Sequence, residues 1–131
     1  MAFTTYGGNL ALTFLLTTGS VAGRPTSWHV ALHTGDPGVA GTANEVVVGT
    51  DPDYVRKSIT FATPASRQAL SNAAVSWTAG TTAGYNITHV SIWDAATAGN
   101  CLLAAAKPVV VAVTTGQVIT FAIGEVIANA L

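Results

Sequence analysis

The densest group of ionisable side chains lies in "HVALHTGDPGVAG", where His29, His33, Thr34 and Asp36 fall within eight residues, just before Pro37-Gly38. Two histidines four apart on a helix would suit a zinc ion, and the mixed residue types would suit a catalytic loop. On a strand the same spacing puts His29 and His33 on one face with Ala31. Their side chains then lie about 13 Å apart, too far to share one ion. Trp28, Val30 and Leu32 alternate with those residues, and Pro25 precedes them, which favours the strand. Asp36-Pro37-Gly38 is turn chemistry: Asp accepts backbone N–H groups, Pro fixes φ and Gly takes a positive φ. The stretch reads as a strand and its turn, with no metal. A cross-strand site with His89 is conceivable, but the sequence does not place His89 beside either histidine.

Other catalytic patterns are equally thin. His89, Ser91 and Asp94 carry the letters of a hydrolytic triad, yet on one strand Asp94 points away from the other two. No G-x-S-x-G elbow is present. Asp51-Pro52-Asp53 lacks the further carboxylates of a calcium loop and reads as turn punctuation before "YVRKSITF". Glu45 stands alone among Val and Thr, so no carboxylate pair for glycoside hydrolysis forms around it. Gly7-Gly8 has neither the preceding strand nor the Lys-Ser/Thr end of a phosphate loop. Cys101, the single cysteine, excludes an intrachain disulfide and reads as a small, partly buried hydrophobe. Neither catalytic residues nor a cofactor is expected.

These residues sit in a chain of 131 residues, a length that fits one domain over 1–131. Half the residues are hydrophobic and only 8% are charged, with a net charge of −1. The five basic residues are Arg24, Arg56, Lys57, Arg67 and Lys107, and only one pair of them is adjacent. Nucleic acid and anionic membrane surfaces are therefore disfavoured as partners. A surface built from Thr, Ser, Asn, Gly and Ala, without mixed charge, favours a chain covered by neighbours.

"LALTFLL" resembles the apolar core of an export signal, but no basic residue precedes it. The expectation is a short helix packed on the domain, with Leu10, Phe14 and Leu15 as candidates for its inner face and Gly19 ending it. No uninterrupted apolar run reaches 18 residues. From Trp28 onward the pattern is β: "SWHVALH", "KSITFA", "NITHVSIWD", "PVVVAV", "QVITFAI" and "EVIANA". Turn clusters at Thr34 to Gly41, Gly49 to Asp53, Thr78 to Gly84 and Ala95 to Gly99 separate them. Short strands at that spacing indicate an all-β antiparallel sandwich, jelly-roll-like, with one short N-terminal helix in residues 1–24. Trp28, Leu32, Ile59, Phe61, Val90, Ile92 and Phe121 are its expected core.

The words "VALHTGDPGVAGTANEV", "YVRKSITF", "SNAAVSW", "THVSIWDAATAGNCLL" and "TTGQVITFAIGEVIANAL" resemble, in order, a family of small tailed-bacteriophage virion proteins described as tail-fibre or minor structural proteins. The resemblance covers about residues 28 to 131. It implies a β-sandwich, a structural role, residence in the virion after assembly in the bacterial host cytoplasm, and no catalytic residues to transfer. Two placements follow. A capsid decoration or cement protein, bound to the major capsid protein, ranks first because one compact domain consumes almost the whole chain. A tail-tip or tail-fibre module, displaying one end to a host receptor, ranks second, and an enzyme last. Assembly with its own copies, as a homotrimer, is expected. Phe3 and Tyr6 in "MAFTTYGGN" are the candidate partner-binding residues. The alternative for that segment is packing on its own sandwich.

Overall fold

A computed structural model describes residues 1–81 and 83–129. Thr82, inside the predicted turn cluster Thr78 to Gly84, and the last two residues of the chain lie outside the described residues. The elements follow in the order β1 (Ala2–Phe3), α1 (Thr5–Leu16), β2 (Trp28–His33), β3 (Lys57–Ile59) and β4 (Gln68–Leu70). Then come β5 (Val75–Thr78), β6 (Gly84–Trp93), β7 (Cys101–Thr114), β8 (Val118–Phe121) and β9 (Ile127–Asn129). Every pairing is antiparallel. One five-stranded sheet has the order β1-β7-β6-β2-β3, and two ladders, β4-β9 and β5-β8, complete the fold. The protein is thus all-β with one short helix. Strands grouped as five, two and two do not form the two equal sheets of a jelly roll, so that part of the expectation is not carried by the topology.

The main core lies where one face of the large sheet meets the two ladders. Val30, Leu32, Ile59, Ile87, Val90 and Ile92 from the sheet share one buried cluster with Val75, Trp77, Ile119, Phe121 and Val126. β5 and β8 show the period-2 logic most cleanly. Val75, Trp77, Ile119 and Phe121 are buried, while Ser76, Thr78, Val118 and Thr120 face out. Trp77 meets Phe121 edge-on at 5.9 Å and donates its indole N–H to the Val55 carbonyl at 2.7 Å.

Two expectations are corrected in the core. Trp28 and Phe61 pack against its margin and are only half-buried. Both sit at the outer side of the large sheet: Trp28 pairs with Ile59 in the edge strand β3, and Phe61 lies beyond β3 in an isolated bridge to Ser71. The β2 strand, read as half-buried, is buried on both faces from Val30 to His33. It is an interior strand, and the segment after it returns over its second face, where the Ala43 carbonyl lies 2.8 Å from His33 Nδ1.

"PVVVAV" does not begin a strand of its own. It continues β7, and the sequence break at Lys107-Pro108 appears as a bulge. Two steps along β6, from Ile87 to His89, face five along β7, from Ala106 to Val111. Proline lacks the N–H a ladder needs and fits such a bulge. The same irregularity lets Ile87 and Val90, an odd number of residues apart, enter one core.

Candidate functional site

The second face of the large sheet gathers most of the residues on which chemistry could depend. His33 and Ser91 are fully buried there, beside Ala31, Trp93 and Cys101. His33 Nδ1 lies 2.8 Å from the Ala43 carbonyl, which can only accept, so Nδ1 carries the proton. Nε2 then accepts from the Ser91 hydroxyl at 2.7 Å, and Ser91 Oγ in turn accepts from the Trp93 indole N–H at 2.8 Å. A serine bonded to a histidine is the core of a nucleophilic pair. Here no carboxylate orients the imidazole, and no solvent reaches either side chain. Burial lowers the His33 pKa, keeping the ring neutral, and burial pushes the Cys101 thiol up to about 11. The cluster is a satisfied hydrogen-bond network inside the protein.

The sequence-level triad does not assemble. Asp94 accepts from the Asn100 backbone and side-chain N–H groups at 2.7 and 2.9 Å, closing the turn between β6 and β7. His89 Nδ1 contacts the neighbouring Thr88 hydroxyl. The histidine that does meet Ser91 is His33, because β2 and β6 pair with Ala31 opposite Ser91 and His33 opposite His89. That register is what the sequence alone leaves unspecified. The juxtaposition of His33 and His89 makes no cross-strand metal site either, since both His33 nitrogens are engaged. His29 lies at the other end of the strand, opposite Trp93. Among the described residues, no group of three or more His, Cys, Asp or Glu is arranged to hold a metal ion.

The remaining polar groups serve as ties between loops. Arg56 forks onto Glu45 through Nε at 2.8 Å and Nη2 at 2.7 Å. Its Nη1 reaches the Ala95 and Ala98 carbonyls, and its guanidinium stacks 3.5 Å from the Trp93 ring centroid. Tyr54 donates to Glu45 and accepts the Leu32 N–H, and burial raises its pKa far above the ordinary phenol range. Asp51, itself buried, accepts from the Gly80 and Asp53 backbone and from the Tyr85 hydroxyl. The predicted turn at Asp36-Pro37-Gly38 forms as expected: Gly38, at φ +71°, donates to Asp36 Oδ1 at 2.8 Å.

Large apolar side chains are also left exposed. Thr4 caps α1 by accepting the Gly7 N–H, and its hydroxyl donates to the Cys101 and Leu102 carbonyls of β7. Gly7 is buried against that strand so closely that a Cβ would stand 2.0 Å from the Leu102 oxygen. The first turn is therefore docked. Leu10 in the next turn still packs against the core, whereas Leu12, Phe14, Leu15 and Leu16 are exposed. Phe14, expected on the packed face, shares an open groove with Leu10, Leu102 and Leu103 and stays mostly exposed. Of the two candidate partner-binding residues, Phe3 is half open on β1, while Tyr6 packs against the core with its hydroxyl 3.5 Å from the Gly23 carbonyl. Leu15, also expected on the packed face, is exposed, and Leu12 and Leu16 were not among the sequence candidates. The signal for them is an α-helix apolar on every side, with no charged residue before Arg24.

A family model described as Podophage GP4 fiber I protein gp80 matches residues 2–129. The chain belongs to this family. No curated protein matches it. The match identifies a phage fibre protein, and so a virion component, in agreement with the resemblance carried by "ALHTGDP" and "THVSIWDAATAGN". It also extends that resemblance back from Trp28 to take in β1 and α1. A fibre family supports the tail-fibre placement better than the shell-decoration placement that ranked first on the sequence.

Proposed function

We propose that this chain is a non-enzymatic subunit of a podophage fibre, which joins its own copies and other virion proteins by burying surface. The observation that carries this reading is the match to a fibre family over nearly the whole chain. The chemistry agrees with it. His33, Ser91, Glu45, Arg56 and Asp51 are spent on internal hydrogen bonds, whereas Leu12, Leu15, Leu16, Val47, Val48, Val55 and Val109 are exposed. The stiff two-layered body would serve as the module, with the N-terminal helix and the loops available for contact. Labelling the protein on intact particles and imaging them tests the reading. Label on appendages around the tail is expected. Label spread over the capsid shell would return the protein to the decoration class.

A further inference from the structure

We infer that the cleft between the large sheet and the β4–β9 ladder is a binding site for an acidic saccharide, held by Arg24, Trp28 and Phe61. Trp28 and Phe61 are aromatics that the core leaves half-buried, and both line one open cleft of about 460 Å³. That volume lies within the roughly 300–1,000 Å³ of small-molecule sites, which combine a mostly apolar lining with a few polar groups. Buried Ile92 and Leu102 of the large sheet line it from one side. Ala69 of β4 and Ala128 of β9 line it from the other. Two alanines facing two aromatics leave space that larger side chains would fill.

The chemistry of the lining selects the ligand. Arg24 is exposed and forms no ion pair among the described residues, and no acidic side chain lines the cleft beside it. A guanidinium takes a carboxylate through two parallel N–H bonds. Trp28 and Phe61 supply apolar ring surface, and exposed Thr63 adds a hydroxyl. A ligand that meets all of these carries one negative charge, an apolar face and hydroxyl groups. A sugar ring bearing a carboxylate has each: its C–H face packs on an aromatic ring, and its hydroxyls and acid point from the edge. A nucleotide phosphate brings a second charge that calls for a second cation, which the cleft lacks. A purely apolar chain would leave Arg24 without a partner.

The inference goes beyond the fibre reading and is tested on the purified full-length chain, so either can fail without the other. Trp77 and Trp93 are buried, which leaves Trp28 as the indole whose fluorescence an added ligand can reach. The protein is titrated with trigalacturonic acid, with neutral maltotriose, with acetate and with adenosine monophosphate. The expected result is a saturable change in emission with the acidic trisaccharide, and binding at least about tenfold weaker for the neutral one, the worth of one charged hydrogen bond. R24Q should lose the same factor and K107Q should not. Each variant removes one positive charge, but Lys107 lines a different cavity, and circular dichroism checks both folds. The contrast between acidic and neutral sugar on the wild type decides the matter even if a variant misfolds. No change with the acidic trisaccharide at millimolar concentration would overturn the inference. So would equal binding of maltotriose, an equal loss in K107Q, or tighter binding of acetate or the nucleotide.

Discussion

His33 donates through Nδ1 to Ala43, accepts through Nε2 from Ser91, and is held neutral by burial. An imidazole in the unfolded chain titrates near 6.5. Its folded pKa is lowered, so below about pH 6.5 the unfolded chain binds more protons, and stability falls as pH drops toward the folded pKa. The His33→Gln variant should be less stable than wild type at pH 7.5 yet lose less between pH 7.5 and 5. Urea midpoints at the two pH values check this, and a wild-type midpoint that does not move would contradict it. Burial sets a second contrast. Leu32 is fully enclosed, so Leu32→Ala should cost about 2–5 kcal/mol. Half-buried Phe61 should cost less on truncation, although it is the larger side chain. Equal or greater loss at Phe61 in denaturant unfolding would show that its partial exposure is closed in solution.

The α1 helix turns an ordinary substitution rule around. Replacing glycine by alanine inside a helix usually adds up to about 1 kcal/mol of stability. At Gly7 the added Cβ would sit 2.0 Å from the Leu102 oxygen, so Gly7→Ala should lower the melting temperature and loosen β1 and α1 from β7. At Gly8 the nearest atom is the Phe3 Cβ at 3.8 Å, an ordinary contact, and Gly8→Ala should be neutral or stabilising. Thermal unfolding of the two variants separates them, and equal behaviour would refute the docking geometry. Elements of this kind mark the boundary of what the sequence discloses. The alternation of residue types in "SWHVALH", "KSITFA" and "QVITFAI" reveals β2, β3 and β8, because such alternation is a local property. The turns at Asp36 and at Ala95 to Gly99 are legible for the same reason. Strand order is not local. Nothing in the sequence told that β2 lies inside a sheet, that its His33 meets Ser91, or that Trp28 and Phe61 fall at the margin. The two-residue β1 and three-residue β4 are too short to leave a periodic trace. The helix was legible in "LALTFLL", but which of its residues meet β7 depends on how the two pack.

Across the whole molecule charge is scarce and in part committed. Of the five basic residues, Arg56 is locked onto Glu45 with little of either side chain exposed, and Lys107 lies 4.4 Å from the Phe121 ring centroid. Large apolar side chains are exposed as well, among them Leu12, Leu15, Leu16, Val39, Val109 and Ile123. Contacts made by such a surface gain their free energy from removing apolar area from water, which salt does not screen. Contacts made by exposed ion pairs would weaken once the Debye length shrinks from about 10 Å at 0.1 M to about 3 Å at 1 M. Self-association of the purified chain, and its attachment to particles lacking it, should therefore hold or strengthen between 0.1 and 1 M sodium chloride. Urea, which solvates apolar and peptide groups, should release both. Sedimentation at the two salt concentrations measures this. A tenfold or greater loss of association at 1 M would mean that the few remaining charges, Arg24, Lys57 and Arg67 among them, carry the contact instead of the apolar surface.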